Sequence, residues 1–258
     1  MAENKYQEKV AREESVRGNE KEICQKLCCL SIFENVGKET IERLSRAGTV
    51  KEFPKGQVIM HAKAQVSQVY IQLTGKSMIY NLTHTGKRKI IFIFGSGALL
   101  NEHVSNFHAA AQFCETIEKS RIFMVPMTEF MRCMEYDFSL TKAVLTAQEK
   151  KIWRLGHQLK NTMGSIYLER KLAAKLWKLS RDFGVETPDG IEIDINMSIT
   201  FLADMLGAPR ETTSRICNTL TEYGLMSIHK KRITITNPAA MSQFYRSGEI
   251  KAVETREE

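Results

Sequence analysis

Apolar positions recur in two rhythms along this chain, at strand spacing in its first half and at helical spacing later. Short apolar runs at Thr49 to Phe53, Val58 to Met60, Val69 to Leu73, Met78 to Leu82, Ile90 to Phe94 and Arg121 to Val125 read as strands. Turn signals at Pro54-Lys55-Gly56, Thr74-Gly75-Lys76, Thr85-Gly86-Lys87 and Gly95-Ser96-Gly97 part them, because proline presets a turn dihedral and glycine reaches positive φ freely. Several short strands at this spacing predict a sandwich or barrel. Ahead of them, helical patterns run over 22–29 and 37–47, the second with Ile41 and Leu44 on one face. Behind them, 137–166 reads as one long helix whose heptad a positions are Phe138, Leu145, Ile152, Leu159 and Ile166. Its d positions are Thr141, Gln148, Leu155 and Thr162, mostly polar, so the seam suits a parallel dimer that can readjust.

Helical patterning resumes over 167–183, where Leu168, Leu172, Leu176 and Leu179 share a face, and Thr187-Pro188-Asp189-Gly190 turns the chain into a short strand over 191–195. The next pattern is two short helices and a hairpin. Ser198 caps a helix with Phe201, Leu202, Met205 and Leu206 on its apolar face, and Gly207-Ala208-Pro209 stops it. A second helix from Arg210 to Tyr223 buries Ile216, Leu220 and Thr213 beneath it and turns Arg210, Glu211, Ser214, Arg215 and Asn218 outward, with Thr213 also counted among the DNA-binding residues. Gly224 ends it. Strands at Leu225 to Ile228 and Ile233 to Thr236 then flank a basic tip, His229-Lys230-Lys231-Arg232. The stretch after Asn237 is mildly acidic and is expected to fray.

Composition narrows the class. The chain has 258 residues, 43% hydrophobic and 26% charged, with length for two medium domains. No apolar run approaches the roughly 20 residues of a membrane helix. Residues 1–22 carry 5 basic and 6 acidic side chains and no apolar core of a secretion signal, so a flexible extension in a cytoplasmic protein is expected. Six cysteines are too few for a disulfide scaffold. Walker A, G-x-S-x-G, H-E-x-x-H and paired C-x-x-C patterns are missing, and Gly95-Ser96-Gly97 is too short to cradle a pyrophosphate, so an enzyme is not expected. The net charge of +7 adds little: 167–236 holds 10 basic against 9 acidic residues, while the excess lies in 23–136 (14 against 9) and 141–166 (5 against 1).

The expectation of DNA binding therefore rests on placement. A helix-turn-helix needs an exposed second helix whose first side chains reach base edges in the major groove. Arginine there grips guanine O6 and N7, and glutamate accepts from cytosine N4. The run G-A-P-R-E-T-T-S-R with the following G-L-M resembles the DNA-binding end of the Crp/Fnr superfamily of bacterial transcription regulators. V-Y-I-Q-L-T-G-K-S-M-I-Y and T-G-K-R-K-I-I-F-I-F-G-S-G-A-L-L are similar to the cyclic-nucleotide-binding β-roll of the same superfamily, so the resemblance spans about 30 to 236.

The resemblance implies an α+β chain in five parts: an extension (1–22), a β-roll sensor (23–136), a dimerisation helix (137–166), a winged helix-turn-helix (167–236) and a tail (237–258). It implies a homodimer on palindromic double-stranded DNA, controlled through the β-roll and in contact with RNA polymerase, with no membrane attachment. Arg210, Glu211 and Arg215 match the trio that reads TGTGA-like half-sites; Glu211, Ser214 and Arg215 match the trio of the oxygen-sensing branch. Lys230, Lys231 and Arg232 are expected on phosphates, and Leu145, Ile152, Leu155, Leu159 and Ile166 in the dimer seam.

Two departures bear on the signal. Glu102 matches the ribose-binding glutamate of nucleotide-sensing members, but Ala110 and Ala111 stand where their phosphate-binding arginine would be. An unpaired cyclic phosphate would cost several kcal/mol to bury, so the expected effector is another small molecule, held by Asn101, Glu102 and His103 with Tyr80 or residues of the long helix. Oxygen-sensing members hold an iron–sulfur cluster on three N-terminal cysteines and one in the β-roll. Here Cys24, Cys28 and Cys29 are spaced C-x3-C-C, and Phe123 takes the fourth place with Cys114 nine residues earlier. No metal or cofactor is expected; a cluster or thiol switch is the alternative, and a ligand-binding module without DNA is the alternative of another class.

Overall fold

A computed structural model describes residues 20–105, 108–160 and 167–249. They fall into two compact units, one within 1–81 and 91–155 and the other within 82–90 and 156–258.

The first unit opens with α1 (20–28), a 3-10 turn (Ser31–Phe33) and α2 (Lys38–Ala47). Seven strands follow: β1 (Thr49–Phe53), β2 (Val58–Met60), β3 (Gln68–Thr74), β4 (Ser77–Leu82), β5 (Arg88–Phe94), β6 (Phe113–Thr116) and β7 (Ser120–Pro126). They form two sheets, ordered β1-β7-β3 and β2-β6-β4-β5. β7 shows why two apolar layers arise. Successive strand side chains face opposite ways; accordingly Ile122 packs with Phe53, Phe92, Phe94 and Cys114 between the sheets, while Phe123 and Val125 pack outward against the helices. Gly48, just before β1, is obligatory, since a Cβ there would lie 2.2 Å from the Phe123 ring.

Two helices close the unit. α3 (Met127–Tyr136), which the sequence pattern did not separate, inserts Met127, Phe130 and Cys133 into the outer core. α4 (Phe138–Lys160) begins where the Asp137 carboxylate accepts from the Ser139 and Gly37 amides, each at 2.9 Å. One face of α4 buries Leu140 and Val144 in that core. Another leaves Leu145 54%, Ile152 68% and Leu159 64% exposed. The polar d positions have partners within the chain: Thr141 donates to the Met134 carbonyl at 2.6 Å and Gln148 to that of Glu102 at 3.0 Å. Ile166, expected to extend the seam, lies outside the described residues.

The second unit contains α5 (Leu168–Phe183), β8 (Gly184–Thr187), β9 (Gly190–Ile193), α6 (Ile199–Leu206), α7 (Arg210–Glu222), β10 (Ser227–His229), β11 (Arg232–Ile235) and α8 (Pro238–Ser247). Its sheet is antiparallel, ordered β10-β11-β9-β8. The short β6 and β8 were not legible as strands.

α8 corrects the expectation of a fraying end. Asn237 accepts from the Ala240 amide at 2.9 Å, proline suits the first turn, and Gly248 ends the helix at φ 82°. Met241 and Phe244 are buried. Tyr245 meets Trp177 of α5 with ring centres 5.4 Å apart, and Arg170 donates to the carbonyls of Tyr245 and Arg246. The helix is thus part of the second unit's core. Met241→Ala should cost about 2–5 kcal/mol as a large-to-small change at a fully buried position. Scanning calorimetry should show a lowered transition for the second unit alone; an unchanged profile would mean that α8 packs loosely.

Candidate DNA interface and sensor loop

The helix-turn-helix is built by local chemistry. Ser198 accepts from the Phe201 amide at 3.1 Å and so starts α6. Gly207 ends α6 in the left-handed region at φ 74°, with its N–H on the Ala203 carbonyl. Pro209 precedes α7, whose Thr213, Ile216, Cys217 and Leu220 are buried. Arg210, Glu211, Arg215 and Asn218 are exposed and Ser214 is half-buried. α7 therefore presents two guanidinium groups and a carboxylate from its first two turns.

Thr213 must be removed from the DNA-facing set. Its side chain is 0% exposed, and its hydroxyl donates to the Pro209 carbonyl at 3.0 Å. Thr213 thus fixes the first turn of α7 from beneath.

Arg232 is also placed differently from expectation. It donates to Asp194 at 2.6 Å and lies 4.0 Å from Glu192, both near or on the neighbouring β9. Its charge is offset within the sheet, which leaves Lys230 and Lys231 at the hairpin tip. These two occupy φ of 47° and 71°. A two-residue hairpin turn of this kind suits Asn-Gly, whereas an ordinary side chain in the left-handed region costs about 1–2 kcal/mol. The Met197 amide donates to the Lys231 carbonyl at 2.8 Å and ties the tip to the start of the helix-turn-helix.

In the first unit, the loop after β5 is organised by Asn101. Its buried side chain accepts from the Tyr70 amide at 2.7 Å and donates to the Gln68 carbonyl at 2.8 Å, fastening the loop to β3. Its own carbonyl accepts from Lys151 of α4 at 2.7 Å. Glu102 accepts from the Ala111 amide at 2.9 Å and so bridges the two ends of the loop. His103 is exposed, its ring centre 5.4 Å from that of His108. Tyr80 belongs elsewhere. It pairs across the sheet with Phe113, and the rings stack at 5.1 Å. The neighbouring pair, Ile79 and Cys114, faces the inter-sheet core, so strand alternation sets Tyr80 on the opposite side. The structure thus gathers Asn101 and Glu102 with Gln148 and Lys151, and leaves Tyr80 in a separate aromatic group.

Lys151 is the residue that sequence reasoning missed. Burial pushes its ammonium down to about 8, against the pull of Glu102 and then Cys114. Leu140, Val144, Gln148 and Lys151 continue one helical face at steps of four, four and three. The apolar stripe of α4 therefore ends in polar groups that turn inward, and that periodicity is the signal that could have exposed them.

The cysteines do not assemble. Cys114 is fully buried between the sheets, where burial raises its thiol to about 12. Cys28 and Cys29 are exposed. Burial and then the neighbouring Cys28 raise the Cys24 thiol. Among the described residues no three His, Cys, Asp or Glu side chains converge as metal ligands. Cys24 packs against the outer core and Cys114 lies in the inter-sheet core, so the four thiols named for a cluster are divided between two layers.

Two family models match the chain: a cyclic nucleotide-binding domain over residues 50–137 and a Crp-like helix-turn-helix domain over 170–244. The global nitrogen regulator of Synechococcus elongatus is 28% identical over 201 residues, covering 75% of this chain and 88% of the relative. A CooA mutant from Carboxydothermus hydrogenoformans superposes with a TM-score of 0.66 at 15% identity, covering 78% of this chain and 88% of that one. FixK2 from Bradyrhizobium japonicum superposes equally well, at 0.66 and 18% identity, over 76% and 96% of the two chains. Among the described residues no helix is long and apolar enough to cross a membrane.

The strained tip yields a stability test independent of DNA. Replacing Lys230 by Asn together with Lys231 by Gly should stabilise the second unit by about 1 kcal/mol, because both residues accept the left-handed conformation. A rise in its melting temperature is expected; a fall would show that the lysine side chains hold the turn by contacts of their own.

Proposed function

The chain belongs to the Crp/Fnr superfamily of DNA-binding transcription regulators, and we propose that it acts as a cytoplasmic homodimer on a palindromic site under control of a small-molecule effector. The observation that carries this reading is the outer face of α7. Arg210, Glu211 and Arg215 stand exposed there while Thr213 and Ile216 anchor the helix from below. A dimer would set two such helices into successive major grooves, about 34 Å apart. The exposed stripe of Leu145, Ile152, Leu155 and Leu159 on α4 supports that pairing, since apolar groups at a heptad-like repeat gain by excluding water. RNA polymerase is the expected partner once the protein is on DNA.

The effector in this reading is not cyclic AMP. Ala110 is buried, and the Ala111 amide is occupied by Glu102, so neither position that stands in for the missing arginine offers a cation to a cyclic phosphate. An effector shifts the balance only by binding the DNA-competent arrangement better than the other.

One titration tests these points together. A labelled palindromic duplex should bind two chains per site, with affinity unchanged by cyclic AMP. Arg215→Ala should weaken binding by roughly 1–3 kcal/mol and relax preference at one guanine per half-site. An equal loss on all sequences would make Arg215 a phosphate contact. Binding of one chain per duplex, or a response to micromolar cyclic AMP, would sink the corresponding part of the reading.

A further inference from the structure

Among the described residues, no carboxylate lies within salt-bridge distance of Lys151. Its recorded partners are neutral: the Asn101 carbonyl at 2.7 Å and the face of Phe94, whose centre is 5.3 Å from Nζ. The titratable groups facing it from packed elements are Glu102 on the loop and Cys114 on β6. Cys114 stays a neutral thiol at physiological pH, and Glu102 directs an oxygen to the Ala111 amide. A partly buried ammonium in these surroundings is a cation without a full counter-charge, an arrangement that costs free energy until an anion joins it.

We propose that Lys151 is the positive pole of the effector site: the first unit takes a small organic anion, its carboxylate or phosphate group on the Lys151 ammonium and a hydroxyl or amine donor on Glu102. This rests on the reading of that unit as a sensor and supplies its ligand class. The cation thus comes from the long helix, where it takes over the charge role that the loop alanines cannot fill. An oxygen of the anion would displace the Asn101 carbonyl from Lys151, while Gln148 keeps its bond to Glu102. The anion would therefore alter how α4 is held to the loop, which is the step a signal needs if it is to reach the dimer helix.

The sign of the pH dependence follows. Lys151 titrates near 8 in the free protein, and a bound anion favours the ammonium and raises that value. Binding is therefore full below pH 8 and is lost as pH rises through 8 toward the raised value, until the bound lysine also deprotonates.

The test is calorimetric titration of the full chain with malate, succinate and inorganic phosphate against chloride at fixed ionic strength. Malate and succinate report a carboxylate source and phosphate a phosphoryl one. At least one should bind below about 10 mM, about tenfold more weakly at pH 9 than at pH 7. Lys151→Met should weaken it by at least about tenfold and Lys151→Arg should largely retain it, with melting temperatures confirming that both variants fold. Failure of all three probes to bind, or equal binding by Lys151→Met, would overturn the assignment. A parallel DNA titration separates the two levels. Lys151-dependent binding without any change in DNA affinity would leave the anion site standing and remove the effector reading. Binding that changes DNA affinity equally in wild type and Lys151→Met would do the reverse.

Discussion

A buried side-chain amide holds the first unit in register. Asn101 satisfies both its donor and its acceptor on β3, through the Gln68 carbonyl and the Tyr70 amide. Removing either partner from water without such bonds costs about 1–3 kcal/mol for each unmet group. The amide therefore specifies one position of the loop against the sheet, where an apolar side chain would specify only burial. Everything beyond depends on that position. It aims the Asn101 carbonyl at Lys151, sets the next residue, Glu102, to close the loop on Ala111, and puts the Glu102 carbonyl within reach of Gln148.

The same economy governs the larger elements. β7 serves two cores because its odd and even residues face different layers, so a one-residue slip would exchange Ile122 for Phe123 and disrupt both. α4 divides its surface in a comparable way. Leu140 and Val144 fasten it to the outer core, Gln148 and Lys151 join it to the loop, and Leu145, Ile152 and Leu159 remain outward. One helix thus touches the loop around Asn101 with one face and offers an apolar stripe on another.

Where the sequence was legible, the signals were local. Ser198, Gly207 and Pro209 bound α6 and α7 by capping and left-handed geometry, and each acts within a few residues of itself. The strand runs were readable for the same reason, as were the long helix and α5. Missed features depend on partners far along the chain. α8 looks like a mildly acidic end until Trp177 and Arg170 are brought against it. Arg232 reads as a free wing cation until β11 pairs with β9 and brings Asp194 to it. Thr213 reads as buried beneath α7, and the Pro209 carbonyl holds it there, so only its place among the DNA-binding residues fails. Lys151 combined both difficulties, since a charged residue on a mostly polar helix gives no sign of burial until the loop around Asn101 is in place.

The hairpin tip carries a longer consequence. At Lys230 and Lys231 the backbone favours one pair of residues, and the phosphate-facing role proposed for the wing would favour another. In a lineage that no longer needed the wing, mutation would be released toward Asn and Gly, since nothing would oppose the gain in folding. The two codons are thus a record of use. Read across descendants of this gene, lysines kept at a left-handed turn would mark wings still selected for contact with nucleic acid, and Asn-Gly would mark wings that have been retired.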